Sequence, residues 1–195
     1  MRLRRNVQSL GVLVAAVCLL VFDARQAASE CTGASAMTFS VQSSSFTDGG
    51  EIPSRFTCEG ADVSPALSWS GVPTGAKSLA LIVDDPDAPD PQAPKMTWVH
   101  WVLYDLPATV SGLPEAVEQG ALPSGTREGL NDWKRLGYGG PCPPIGRHRY
   151  FHKLYALDVV LPDLKSPTKA DLEKAMAGHV LAEARIIGTY QKRDK

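Results

Sequence analysis

The chain has no long basic run. Its 20 Lys and Arg are outnumbered by 21 Asp and Glu, for a net charge of −1 at pH 7. Tracking a nucleic-acid backbone requires clustered cations, so nucleic-acid binding is unsupported. HExxH, GxSxG and a Gly-rich nucleotide loop are also missing. These motifs place a zinc-bound water, a serine nucleophile or a phosphate cradle, and nothing else reads as an activated nucleophile. The four cysteines are not spaced as zinc ligands, so no metal and no cofactor is expected. The apolar run Leu10–Phe22 covers 13 residues, shorter than a membrane-spanning helix requires. There is no internal repeat.

What is present at the N-terminus reads as an export signal. Arg2, Arg4 and Arg5 precede the apolar run, and Ala27 and Ser29 fit the −3 and −1 positions of a cleavage site before Glu30. Residues 1–29 are therefore expected to be a signal peptide, which places the mature chain in the periplasm or outside the cell. The competing reading is an uncleaved N-terminus that anchors the chain to a membrane. Cleavage removes four Arg and one Asp, leaving 16 basic and 20 acidic residues and a net charge of −4. Cysteines pair in an oxidising space. Of Cys31, Cys58 and Cys142, the last two lie in Gly-flanked loops (FTCEG and GGPCPP) and form the favoured bridge. Cys31 is then free in a flexible lead-in, residues 30–36.

The rest is dominated by β patterns. Met37–Ser43 alternates apolar and polar residues, Leu67–Ser70 is a short strand ended by Gly71 and Pro73, and Ser78–Asp84 is a nearly continuous apolar run suited to a buried central strand. Trp98–Leu106, Arg149–Val160 and Ala184–Tyr190 are further strands. By parity Trp98 and His100 share one face of theirs, with Val99 and Trp101 opposite. Residues 107–137 lack periodicity and read as surface excursions. Ser166 or Thr168 caps a helix over Lys169–Gly178, with Leu172 and Met176 on one face. The expected fold is a single mostly β domain over residues 37–190 with one or two short helices, followed by a charged tail, residues 191–195.

The most constrained stretch is Gly139–Tyr150, GGPCPPIGRHRY. Pro141, Pro143 and Pro144 lack an N–H and fix φ, while Gly139, Gly140 and Gly146 permit shapes that other residues avoid. A stiff loop thus delivers His148 and Tyr150 to the same face at the start of a strand, with Arg149 facing away to an outer salt bridge. The bland alternative is a buried His–Tyr pair that only satisfies its own hydrogen bonds. A second Pro- and Asp-rich loop, Asp84–Pro94, crowds carboxylates at the mouth of a buried strand. His100, inside an apolar run, reads by itself as a core residue with a satisfied partner rather than as a ligand-binding group.

DPDAP, followed by W-x-H and then GPxPP-x-G-x-HRY, resembles the phosphatidylethanolamine-binding, Raf kinase inhibitor-like family in its bacterial and archaeal branch. FTCEGADVSPALSWSGVP, HWVLYDLP, LYALD and AEARIIGTY also resemble it, so the likeness spans Met37–Tyr190. The resemblance implies an antiparallel β-sandwich with a small anion pocket at one end. It implies ligand contacts from Asp85, Pro86, Trp98, His100, Pro143, His148 and Tyr150, with Asp84, Asp87 and Pro144 structural beside the site. Asp85 is expected to accept from a pocket imidazole. Asp84 and Asp87 are expected to bond N–H groups of their own loop. His100, His148 and Tyr150 are read as donors to a phosphate, and Arg147 as a residue within reach of the pocket rim. The implied ligand is a phosphate-bearing small molecule or lipid head group. The implied protein target is a protease or kinase, and a homodimer is left open. The alternative function is a hydrolase or metal-assisted acid–base enzyme using the His/Asp pocket. Only Arg147 separates Gly146 from His148, a shorter link than in animal members, and His152 stands where an apolar residue is expected.

Overall fold

Eight strands and one α-helix are formed in this computed structural model, which describes residues 37–117 and 121–193. The expected signal peptide, the lead-in and Cys31 lie outside the described residues. The strands form two antiparallel sheets. The smaller contains β1 (Ser40–Ser43), β2 (Leu67–Ser70) and β5 (Gly112–Leu113), in the order β1-β2-β5. The larger contains β3 (Ser78–Asp85), β4 (Trp98–Pro107), β6 (Arg127–Glu128), β7 (His148–Leu157) and β8 (Val180–Tyr190), in the order β6-β4-β3-β7-β8. The mostly β sandwich read from the sequence is the fold observed. Its helical content is α1 (Lys169–Met176) and a 3₁₀ turn at Ser54–Phe56.

The larger sheet is covered on both faces. On one, Leu79, Leu81, Val83, Trp101, Leu103, Tyr150 and Leu154 pack with Val41, Leu67, Trp69 and Leu113 of the smaller sheet. On the other, Ala80, Ile82, Val99, Val102 and Tyr104 pack beneath Leu161, Leu172 and Met176. This explains the unbroken apolar run of β3, which is buried at every position, and the alternation of β7, which lies nearer the edge. Thr168 caps α1: its side chain accepts from the Asp171 N–H while Asp171 reaches back to the Thr168 N–H. No helix among the described residues is long and apolar enough to cross a membrane.

Two details differ from the sequence reading. β1 begins at Ser40, not Met37, because Met37 is exposed beyond the edge of the sheet. Trp101 does not face away from His100. The register between β3 and β4 moves from Val83–Trp101 to Asp84–Val99, so His100 is an extra residue on its strand. A bulge of this kind resets the alternation. Trp98 and His100 do point the same way, but Trp101 joins the inter-sheet core on that side while Val99 packs on the other.

Candidate functional site

A pocket of about 510 Å³ opens at the end of the larger sheet where β3, β4 and β7 meet their loops. Asp85 from β3, Trp98 and His100 from β4, and His148 and Tyr150 from β7 line it, joined by Pro143 and Pro144. Three segments distant in sequence therefore converge. Of the residues expected there, Pro86 is not in the lining. Ala88, Pro89, Lys95, Met96, Trp133 and Cys142 complete the wall. Lys95 and Met96 sit directly upstream of the W-x-H motif, and that adjacency was the available signal. Trp133 lies in the aperiodic 107–137 stretch, where nothing but an isolated aromatic marked it.

The loop wall is anchored from behind. Cys58 and Cys142 form a disulfide. Beside it the Cys58 N–H donates to Pro141 O (3.1 Å), the Gly140 N–H to Asp62 Oδ1 (2.6 Å), and the Tyr138 hydroxyl to Phe56 O (3.0 Å). The FTCEGAD stretch is thus a brace for the GGPCPP loop. At Gly139 a Cβ would stand 2.5 Å from the Trp133 ring, so any larger residue would displace that indole. Opposite, the Lys95 and Met96 N–H groups both donate to Ala88 O, folding the Asp/Pro loop into the other wall.

Asp85 and His148 are a buried pair. Asp85 Oδ2 lies 2.7 Å from His148 Nδ1, and Asp85 Oδ1 accepts from the Asp87 N–H at 2.8 Å. His148 Nε2 lies 3.0 Å from Ile145 O. A carbonyl can only accept, so Nε2 carries a hydrogen. Burial pushes the Asp85 carboxyl above its ordinary range, against the lowering effect of the His148 hydrogen bond. Whether the proton between Oδ2 and Nδ1 sits on oxygen or nitrogen, the pair has no net charge. Both ring nitrogens of His148 are therefore engaged within the protein, so His148 is not the donor to a ligand that the sequence suggested.

His100 differs. Its Nδ1 lies 2.6 Å from Gly139 O and must donate, leaving Nε2 buried with no partner. Burial lowers the ring to about 4, so it is neutral at pH 7 and Nε2 presents a lone pair. His100 Nε2 is a buried acceptor and not the donor read from the sequence, a second correction. Its ring packs edge-on against Tyr150 (centroids 5.1 Å) and Trp133 (5.2 Å), and Trp133 in turn against Trp98 (5.4 Å). The Tyr150 hydroxyl is also buried without a partner, and burial raises it far above the ordinary phenol range.

Asp84 and Asp87 are structural, but not through their own loop. Asp84 Oδ2 accepts from Lys153 (2.9 Å) and Lys169 (2.5 Å), tying β3 to β7 and α1 on the face away from the pocket. Asp87 accepts from the Arg149 N–H and Nε (both 2.9 Å) and from Nη2 (2.7 Å), and this forked contact holds its carboxyl below the ordinary range. Arg147 turns to Glu51 and Thr189, away from the rim. Among the described residues, no group of three or more His, Cys, Asp and Glu is placed to hold a metal ion.

The family model described as phosphatidylethanolamine-binding protein matches residues 42–191. A UPF0098 protein of Methanothermobacter thermautotrophicus is 54% identical over 148 residues, 75% of this chain and 95% of the relative. Among solved structures, a phosphatidylethanolamine-binding protein homolog from Chlamydia trachomatis is 43% identical, with a TM-score of 0.73 over 80% of this chain and 99% of its own. YbcL of E. coli, described as a member of the mammalian PEBP family, is 34% identical, with a TM-score of 0.72 over 80% of this chain and all of its own. With the fold, the pocket and these likenesses in agreement, the chain belongs to the phosphatidylethanolamine-binding protein family, alongside bacterial and archaeal relatives.

Proposed function

We propose that this chain is a binding protein for small phosphate-bearing anions, acting as a regulatory or inhibitory module outside the cytoplasm. The observation that carries the reading is the buried, unpartnered Tyr150 hydroxyl in the wall of a pocket that Lys95 also lines. A buried polar group without a partner costs stability, so a fold that keeps one at a pocket gains when a ligand supplies the bond. The phenol stays protonated and donates, and the Lys95 ammonium supplies charge. Both atoms left unpartnered, Tyr150 Oη and His100 Nε2, belong to residues of the pocket lining and are buried. Trp133 is exposed and rests edge-on against Trp98 and His100.

The Asp85–His148 pair has the form of an acid–base dyad, yet its outer nitrogen is spent on Ile145 O. That favours binding over turnover. The disulfide supports an oxidising compartment, in line with the export signal read from residues 1–29. Met96, Trp133 and Ile145, all exposed beside the pocket, offer an apolar foothold for a protein target such as a protease or kinase.

Titration calorimetry with inorganic phosphate and with phosphoethanolamine, a chelator present, is expected to show saturable one-site binding. Tyr150→Phe keeps the ring packing and removes one hydrogen bond to a charged group, which should weaken binding by about tenfold or more. Wild-type protein that binds neither compound at millimolar concentration would sink the proposal, as would turnover of an ester only on addition of a divalent cation.

A further inference from the structure

We infer that the Cys58–Cys142 bridge is a thiol-exchange site, attacked at Cys58, whose reduction switches the pocket off by freeing one wall while the sandwich stays folded. This rests on the reading that the pocket takes a phosphate-bearing ligand, and it adds the condition under which the pocket is complete.

Residues 139–145 hold both pocket imidazoles from behind. At one end of this stretch the Gly139 N–H donates to His100 O (3.0 Å) and Gly139 O accepts from His100 Nδ1 (2.6 Å). At the other end Ile145 O accepts from His148 Nε2 (3.0 Å). Cys142 lies between them, in the pocket lining with Pro143 and Pro144. Three hydrogen bonds join this stretch and its approach to the FTCEGAD brace, made by Tyr138, Gly140 and Pro141. All three fall before Cys142. Pro143 and Pro144 have no N–H to add another. Among the described contacts, the bridge is therefore the last tie between the brace and the Pro143–Ile145 part of the wall.

The two sulfurs differ in access. Cys58 is exposed, whereas Cys142 is half-buried in the lining. Thiol exchange depends on which sulfur a thiolate can reach. One thiolate of an external dithiol bonds to Cys58 Sγ. The Cys58–Cys142 bond breaks, and its electron pair leaves on Cys142 Sγ, which takes a proton from water. The second thiolate of the dithiol then displaces Cys58 Sγ. The dithiol is oxidised by two electrons to its own disulfide, and the bridge is reduced to two thiols.

Neither cysteine is among the described residues of the two apolar cores, so the packing of the sheets does not depend on the bridge. What reduction frees is the Pro143–Ile145 wall and, through Ile145 O, the anchor of His148. A wall in place for only part of the time lowers the apparent affinity by that fraction, and a fall of about tenfold is expected. Thiols persist in a reducing cytoplasm and disulfides outside it, so the pocket is complete only on the oxidising side of a membrane.

The test starts from the oxidised wild-type chain. Brief exposure to reduced glutathione is stopped with excess N-ethylmaleimide, and the labelled cysteines are mapped by peptide mass. Glutathione on Cys58 with maleimide on Cys142 should exceed the reverse pattern by about tenfold. After full reduction with dithiothreitol, calorimetry should show phosphoethanolamine bound about tenfold more weakly, with far-UV circular dichroism unchanged and affinity recovered on reoxidation. Cys58→Ser/Cys142→Ser should bind as the reduced chain does and ignore dithiothreitol. Glutathione shared equally between the two sulfurs, or found chiefly on Cys142, overturns attack at Cys58. Reduced protein that binds as tightly as oxidised protein overturns the switch and leaves the pocket reading intact. Loss of the far-UV signal on reduction also overturns it, because the opening would then be global. Oxidised protein that binds no phosphoethanolamine overturns the pocket reading itself, and the switch falls with it.

Discussion

Removing the carboxylate of Asp85 should cost stability in a way that depends on what replaces it. Oδ2 meets His148 Nδ1 at 2.7 Å and Oδ1 meets the Asp87 N–H at 2.8 Å. Asp85→Ala leaves the buried Asp87 N–H and His148 Nδ1 without partners, at roughly 1–3 kcal/mol each. Because the site borders a pocket, water can satisfy part of this, and a loss of about 3 kcal/mol is expected. Asp85→Asn keeps the shape. Its amide oxygen still accepts from Asp87, and its NH₂ donates to a neutral His148 whose Nε2 hydrogen remains on Ile145 O. That variant should fall within about 1 kcal/mol of wild type. Urea unfolding at pH 7, with unchanged m values, measures both. Asn as damaging as Ala would refute the reasoning, because it would show that a neutral imidazole cannot stand in and that the imidazolium–carboxylate form of the pair is needed. The pH dependence supplies a second check. The Asp85 carboxyl is raised above 3.8 by burial, so its contribution is present below that value and is lost as pH rises through the folded pKa. The stability of wild type relative to Asp85→Asn should therefore decline as pH increases from about 4.

Further outcomes follow from the same contacts. Asp87 has the opposite sign: its carboxyl is lowered by Arg149, so the stability it adds is present above 3.8 and disappears on acidification below that value, and Asp87→Asn should flatten that limb. His100 and His152 are each lowered from 6.5 to about 4 by burial. Their contribution is full above pH 6.5 and is lost as pH falls toward 4, with uptake of two protons on unfolding, countable from the slope of unfolding free energy against pH. Both His152 nitrogens are buried and unpartnered, so His152→Leu should be neutral or stabilising by about 1–2 kcal/mol in denaturant titration, and a loss of that size would show that a bound water pairs them. Opening the Cys58–Cys142 bridge, with its separation of 84 residues, should lower stability by up to about 4–5 kcal/mol on chain entropy alone. Cys58→Ser/Cys142→Ser unfolding at the wild-type midpoint would contradict this.

Much of the sandwich could be read in advance because burial writes itself into residue spacing. β3, apolar throughout, had to be central, and β7, alternating, had to show one face outward. β2 ran between the residues expected, and Leu172 with Met176 marked the face of α1 that packs. β5 and β6, two residues each, are too short to leave a period. At the site, His148 and Tyr150 could be placed by parity and loop stiffness, and Asp85 by the family resemblance of its motif. The partners of Asp84 and Asp87 could not, since Lys153, Lys169 and Arg149 lie 62 to 85 positions away and no local rule links them. The donor roles first given to His100 and His148 failed for a related reason: a ring's hydrogen is decided by carbonyls such as Gly139 O and Ile145 O, whose approach depends on the folded loop.

The supernumerary His100 lets one strand do two jobs. Skip it, and Trp98, Val99, Trp101, Val102 and Leu103 alternate without interruption, the indoles and Leu103 on one side and the valines on the other. Deleting this single codon would therefore yield a smoother ladder with its hydrophobic filling in place. The cost would be the imidazole in the pocket lining, so the site proposed here depends on a spliced-in irregularity that the scaffold tolerates rather than requires.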